Sequence, residues 1–256
     1  MSTSQRRQEI LGELAVGNRD VGALAARFGV SESTIRRDLN RLAQDGLVQR
    51  TYGGALPARP GEPTVAQKRQ RNVQAKQAIA RRAAAQVRSG DSVVLDAGTT
   101  TGLVAWELRA LDRLTVLTNG VSVLDALRDH AAVELMLTGG TLRPVSQSLL
   151  GPLAEQALSL LTPDHVFVGA DGVDPHRGIN CPSLAHSSWK RGLLDAGRVP
   201  TIVADASKIG AAPHDWWAPV APGVRLLTDH GCSPAQQEQL AEAGYVVERV
   251  VASGNP

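Results

Sequence analysis

The sequence predicts an α/β chain in two parts. An N-terminal winged helix-turn-helix spans residues 1–57, a linker and connecting helix span 58–88, and a largely parallel α/β domain spans 89–256. Three observations carry this reading. Residues 29–54, GVSESTIRRDLNRLAQDGLVQRTYGG, join a tight turn, a capped amphipathic helix and an alternating strand. From Ser89 onward, short β-branched runs alternate with helical stretches, the pattern of a parallel sheet with crossover helices. Between the two, Pro57-Ala58-Arg59-Pro60-Gly61-Glu62-Pro63 has a composition that cannot bury itself.

The N-terminal elements follow in order. Glu9 to Leu14 ends a first helix whose apolar residues are Ile10, Leu11 and Leu14. Asp20 caps a second, Val21 to Phe28, with Leu24, Ala25 and Phe28 on one face. Gly29 and Val30 turn the chain, and Ser31 caps a third helix. In that helix Ile35, Leu39 and Leu42 form the buried stripe, with Thr34, Arg36, Arg37, Asn40 and Arg41 on the polar side. Gly46 stops it. Leu47 to Tyr52 alternates as a strand, and Gly53-Gly54 closes a hairpin, the wing. A short capped helix with arginines near its start suits a DNA major groove. The residues expected to meet double-stranded DNA are Arg19, Ser31, Ser33, Thr34, Arg36, Arg37, Asn40, Arg50, Tyr52, Gly53 and Gly54.

Charge points the same way. Residues 1–82 hold 15 Lys or Arg against 7 Asp or Glu, net +8, and residues 83–256 hold 12 against 18, net −6. A basic module joined to an acidic remainder suits a DNA-binding part with a separate regulatory part. Cys181 and Cys232 are the only cysteines, so no disulfide framework is implied. No apolar run is long enough to span a bilayer, and the start MSTSQRRQEI is polar, so the expected location is cytoplasmic, away from membranes.

Val65 to Val87 predicts one long polar helix with a basic face formed by Lys68, Arg69, Arg71, Lys76, Arg81 and Arg82. Seven strands follow, at 92–95, 114–117, 133–137, 165–168, 201–204, 224–227 and 245–247. Ligands of open α/β sheets bind beyond the carboxyl ends of strands. Five of those ends are rich in Gly and hydroxyl residues: Asp96-Ala97-Gly98-Thr99-Thr100-Thr101, Thr118-Asn119-Gly120, Thr138-Gly139-Gly140-Thr141-Leu142-Arg143, Gly169-Ala170-Asp171-Gly172 and Asp205-Ala206-Ser207-Lys208. Small residues let backbone N–H groups approach an anion, and a helix N-terminus adds partial positive charge. The series predicts a site for a phosphorylated small molecule. No dinucleotide or P-loop motif is present, and His176, Cys181 and His186 lack the spacing of a closed zinc site, so neither cofactor nor metal is expected. Trp216-Trp217 predicts a lid or an oligomer contact.

The chain resembles the DeoR-type bacterial transcription regulators. The resemblance rests on Arg6-Arg7, Leu24-Ala25-Ala26-Arg27-Phe28, Val30-Ser31, Thr34-Ile35-Arg36-Arg37-Asp38-Leu39, Gly46-Leu47 and Arg50-Thr51-Tyr52-Gly53-Gly54-Ala55. Tyr52 stands where the family has His. Over the second part it rests on Asp96 with Gly98-Thr99-Thr100, Thr118-Asn119, Gly139-Gly140 with Arg143, Gly169 to Gly172, and Asp205-Ala206-Ser207-Lys208. It implies a fold like that of ribose-5-phosphate isomerases and CoA transferases, and a phosphorylated sugar or sugar-acid effector. The implied contacts are Asp96, Gly98, Thr99, Thr100, Thr101, Asn119, Gly139, Gly140, Arg143, Asp171, Gly172, His186, Lys190, Asp205 and Lys208. Gly98 to Thr101 would hold the phosphate, with Asp171, Lys190 and Lys208 around the sugar. His186 stands where the family has an acid, four residues before Lys190.

Two functions fit. One is a repressor of a carbohydrate catabolic operon, released from its operator by the effector and acting as a dimer or tetramer. The other is a sugar-phosphate isomerase or deaminase fused to a DNA-binding part. An enzyme needs a positioned general base, and His186 stands where an acid is expected, so the sequence favours sensing without catalysis.

Overall fold

The computed structural model describes residues 3–15, 18, 20–44, 48–51, 54–57 and 62–251. The chain divides into two units, Met1–Pro63 and Thr64–Pro256.

In the first unit, α1 (Thr3–Ala15), α2 (Val21–Phe28) and α3 (Glu32–Gln44) precede an antiparallel pair, β1 (Val48–Thr51) and β2 (Gly54–Pro57). The caps are those the sequence predicts. Asp20 accepts from the Ala23 N–H at 2.9 Å, and the Ser31 hydroxyl accepts from the Thr34 N–H at 3.3 Å. Gly29 ends α2 at φ 62°, a conformation that glycine adopts without strain. Ile10, Leu14, Leu24, Ile35 and Leu39 meet in one sealed core, each side chain contributing about 1.5–3 kcal/mol by leaving water. Asp38 is buried on α3 and held by two arginines of α1, Arg6 at 2.7 Å and Arg7 at 2.9 Å.

The second unit opens with α4 (Val65–Arg69) and α5 (Val73–Ala84). It continues with β3 (Ser92–Leu95), α6 (Thr99–Leu108), β4 (Leu114–Thr118), α7 (Val121–Leu127), β5 (Val133–Leu137), β6 (Thr141–Arg143), β7 (Ser148–Leu150), α8 (Pro152–Ser159) and β8 (His165–Gly169). Then come β9 (Gly172–Asp174), β10 (Gly178–Cys181), α9 (Leu184–Ala196), β11 (Val199–Val203), β12 (Trp216–Ala218), β13 (Arg225–Asp229), α10 (Pro234–Glu242) and β14 (Val246–Val250).

Seven strands form one parallel sheet in the order β14-β13-β11-β8-β3-β4-β5. These are the seven runs read from the sequence. Helices cover both faces, and side chains alternate between two cores. Val94, Val166 and Val168 enter one with Trp189 and Leu193, while Val93, Leu95 and Phe167 enter the other with Ile79 and Leu108. The strand order reverses between β3 and β8, the switch point that opens a crevice at the carboxyl ends.

Two features depart from the sequence reading. The single helix expected over Val65–Val87 is two helices. Thr64 and Gln67 form a capping box that starts α4, and Asn72 at φ 52° turns the chain before α5. Two small antiparallel sheets, β6 with β7 and β12-β10-β9, stand apart from the parallel sheet, in strands of three or four residues each.

Candidate functional site

On α3 of the first unit, Ser31, Ser33, Arg36, Arg37 and Asn40 are exposed and Thr34 is half-buried. Ser31 bonds the hydroxyls of Ser33 at 2.8 Å and Thr34 at 2.9 Å. Arg36 pairs with Glu32 at 3.1 Å, one turn earlier, and Arg37 has no ion-pair partner among the described residues. The helix thus buries Ile35, Leu39 and Leu42 and leaves a hydroxyl-rich start and two arginines in water. Arg19, Tyr52 and Gly53 lie outside the described residues, as does the Arg50 side chain. Gly54 is buried in β2, bridged to Asp20.

In the second unit, the carboxyl ends of β3 and β8 hold a buried charge pair. Asp96 binds the Lys190 ammonium, accepts from the Trp189 indole N–H at 3.0 Å, and accepts from the Gly169 N–H at 3.3 Å. Lys190, on α9, also donates to the Gly169 carbonyl at 2.7 Å. Burial alone would lower the lysine's pKa. The Asp96 carboxylate beside it outweighs that, so Lys190 stays protonated.

Asp171, just past β8, takes different partners. Lys68 on α4 reaches its Oδ1 at 2.6 Å and His214 approaches its Oδ2 at 3.4 Å. Burial pushes this carboxyl up, but His214, Lys68 and Lys190 together hold it well below the usual carboxylate range. Asp205, past β11, accepts from the Asn72 amide at 2.7 Å and from the Ser207 hydroxyl at 2.5 Å. Lys76 feels both Asp205 and Lys208, and its ammonium donates to the Lys68 carbonyl at 2.5 Å.

His186 is sealed on α9. Its Nδ1 lies 2.8 Å from the Ser183 hydroxyl, and its Nε2 lies 3.4 Å from both Ser146 and Ser148. Burial first, then Lys190 and Arg143, push its pKa down to about 3, so the ring is neutral at physiological pH.

The remaining strand-end residues divide by task. Asn119 is fully buried. Its carbonyl accepts from the Ala97 N–H at 2.8 Å and its amide donates to the Leu149 carbonyl at 3.2 Å, which fixes the loop after β3 against β7. Gly140 and Gly172 stand where a Cβ would strike backbone, 2.5 Å from the Leu150 carbonyl and 1.9 Å from the Ala211 carbonyl. Gly139 turns at φ 73°. Gly98 begins α6 with no side chain capping it, and its carbonyl accepts from Ser122 at 2.8 Å. Thr100 and Thr101 are buried, and Thr99 faces a cavity of about 400 Å³ with Arg69, Val73, Lys76, Ser122 and Trp106. A second cavity of about 590 Å³ joins Asp205 and Ser207 with Asn72, Val73, Asp229 and His230.

Charge through this region is coupled. Lys68, Lys76, Arg143, Lys190 and Lys208 act on one another's surroundings together with Asp96, Asp171 and Asp205. Sequence reasoning missed Lys68, Asn72, Lys76 and His214. Lys68 and Lys76 were legible only as a basic helix face, and His214 sat in a Pro-rich stretch with no motif.

Among the described residues no helix is long and apolar enough to cross a membrane. A DeoR-like helix-turn-helix domain matches residues 6–59, and a DeoR C-terminal sensor domain matches residues 71–229. A protein of Escherichia coli O157:H7 named as a candidate aga operon transcriptional repressor is 34% identical over 96% of this chain and 93% of its own. The HTH-type transcriptional regulator GlpR of Haloferax volcanii is 33% identical over 90% of each chain. The transcriptional repressor AccR of Agrobacterium fabrum is 32% identical over 82% of this chain and 83% of its own. Among solved structures, ribose 5-phosphate isomerase A from Methanocaldococcus jannaschii aligns with 52% of this chain and 53% of its own, at 16% identity and a TM-score of 0.38. The fold class rests on the chain's own strand order. The alternative of a sugar-phosphate enzyme finds no support among relatives that are regulators and repressors by name. With both of its parts matched in order along one chain, the protein belongs to the DeoR family of transcriptional regulators.

Proposed function

We propose that the protein represses a carbohydrate catabolic operon and leaves its operator when a phosphorylated sugar or sugar acid binds the second unit. The observation that supports this best is the cluster of lysines and carboxylates at the carboxyl ends of the strands. Lys76, Lys190 and Lys208 stand among the strand-end carboxylates Asp96, Asp171 and Asp205, a setting that favours an anion carrying hydroxyl groups. The uncapped start of α6 at Gly98 and Thr99 offers backbone N–H groups to the same charge. Asp171 and Asp205 are acceptors for sugar hydroxyls. In the first unit, Ser33, Thr34, Arg36, Arg37 and Asn40 on the open face of α3 would contact the operator, as would Arg19, Arg50 and the wing.

The test pairs two measurements on the full chain. A panel of sugar phosphates and phosphorylated sugar acids is screened by thermal shift and then added to an operator mobility-shift assay. A member that raises the melting temperature should also weaken operator binding, and its unphosphorylated parent should do neither. If no member of a broad panel changes either readout, the effector class is wrong.

A further inference from the structure

Residues 64–76 begin the second unit and follow the DNA-binding unit directly in the chain. They lie on the strand ends through a series of hydrogen bonds. The Val65 N–H donates to the Val145 carbonyl at 3.3 Å, and Lys68 donates to Asp171 at 2.6 Å. The Asn72 amide donates to Asp205 at 2.7 Å and to Ser207 at 3.0 Å. Lys76 folds back onto the Lys68 carbonyl. The third carboxylate, Asp96, is already committed to Lys190, Trp189 and Gly169. The two carboxylates left to receive a ligand are therefore both covered, each by a donor from this one segment.

An ammonium or amide N–H at 2.6–2.7 Å occupies the same acceptor positions that a sugar hydroxyl would use. We infer that residues 64–76 are a strap that stands in for the effector, and that a polyhydroxylated phosphate displaces Lys68 and Asn72 from Asp171 and Asp205 when it binds. This rests on the effector class proposed above and adds to it how the site is regulated.

The strap is built to move. α4 has five residues, too few to persist as a helix without tertiary contacts. Asn72, at φ 52°, separates it from α5 and forms a natural hinge, because asparagine tolerates this conformation better than most residues. A cavity opens on each side of the first turn of α5, and Val73 borders both. Displacing the strap changes the tether that leads to the helix-turn-helix, so the effector gains a differential interaction between two states of the chain.

The experiment uses hydrogen exchange and calorimetry on the full chain with the same panel of sugar phosphates. In the wild type, a bound sugar phosphate should speed exchange of the amides at 65–72 while slowing exchange elsewhere at the strand ends. Asn72→Gly removes the donor, keeps the net charge and suits the positive φ. It should bind the same compound about fivefold or more tightly, because the competing state is weakened, and its operator affinity should respond less to that compound. Lys68→Met should lose the operator response in the same way. Slower exchange at 65–72 with ligand, or weaker binding by Asn72→Gly, would overturn the strap while leaving the effector class standing. Binding to Asn72→Gly but not to the wild type supports the strap. Binding to none of the three proteins sinks the effector class, and the strap with it.

Discussion

His186 is the residue whose chemistry departs most from its sequence neighbourhood. Its ring is buried beside three serine hydroxyls and kept neutral by burial and by Lys190 and Arg143, with a pKa pushed down to about 3. An unfolded chain protonates histidine near pH 6.5. Below that value the unfolded state binds a proton that the folded state refuses, so stability falls as the pH drops, by about 1.4 kcal/mol per unit, down toward the folded pKa. Urea titrations between pH 4.5 and 7.5 should show this slope, and His186→Gln should flatten it whatever it does to absolute stability. An unchanged slope in the variant would mean that other groups carry the acid sensitivity. At the same scale, Arg36 and Arg37 are adjacent but roughly 100° apart around the helix, so they cannot share one contact. Losing the one that meets a base should cost about 1–3 kcal/mol and relax specificity at one position. Losing the one that meets a phosphate should weaken all sequences and lower the salt slope by about 1. Mobility shifts at several salt concentrations separate the two, and alanine variants that bind as well as wild type would remove α3 from the interface. The arginines were legible because cap, turn and stripe all fix which face of α3 is open. Lys68 and His214 were not, because their roles come from which strand end they reach, and no spacing encodes that.

At the scale of elements, the seven parallel strands were legible because a strand buried on both faces is a nearly continuous β-branched run. Val93-Val94-Leu95 and Val166-Phe167-Val168 are examples, with all six side chains fully buried. The strands β6, β7, β9, β10 and β12 escaped notice. They are three or four residues long, and the reason Gly172 is glycine is a neighbouring backbone rather than a local turn. The connecting segment read as one helix because its composition is helical throughout. Only Asn72, held in place by Asp205 and Ser207 more than 130 residues away in sequence, breaks it. In the first unit, α1 and α3 are tied by Asp38 between Arg6 and Arg7. These arginines, part of the family resemblance, tie the fold together. Asp38→Ala leaves two arginines without their buried partner, and removing one side of a buried ion pair costs about 3–5 kcal/mol. Because Arg7 keeps 32% exposure, a loss near the lower end is expected. Thermal unfolding followed by loss of operator binding should show it, and a loss under about 0.5 kcal/mol, the range of ordinary surface changes, would reduce the clamp to one of those.

The whole molecule redraws the charge argument. Counted by structural unit, Met1–Pro63 holds 9 basic against 7 acidic residues, net +2, and Thr64–Pro256 holds 18 of each. The strong N-terminal excess seen in the sequence came from residues 64–82, which belong to the second unit. There Lys68 and Lys76 turn toward the strand ends and Arg82 pairs with Glu248. The N-terminal excess therefore says little about the DNA-binding surface. This bears on how the operator is held. The arginines expected to meet DNA, Arg19, Arg36, Arg37 and Arg50, would neutralise few phosphates, so one copy would gain little sequence-independent affinity. One recognition helix reads only a few base pairs, and a genome offers vast numbers of competing sites. Two copies related by symmetry would double both the phosphate contacts and the bases read. We expect the free protein to be a dimer or tetramer at micromolar concentration by light scattering, and the operator complex to hold an even number of chains. Swapping half-sites out of their spacing by half a helical turn, about 5 base pairs, should abolish binding, and restoring a full turn should recover it. A monomer in solution that binds DNA one to one, indifferent to that spacing, would show that a single α3 and its wing suffice.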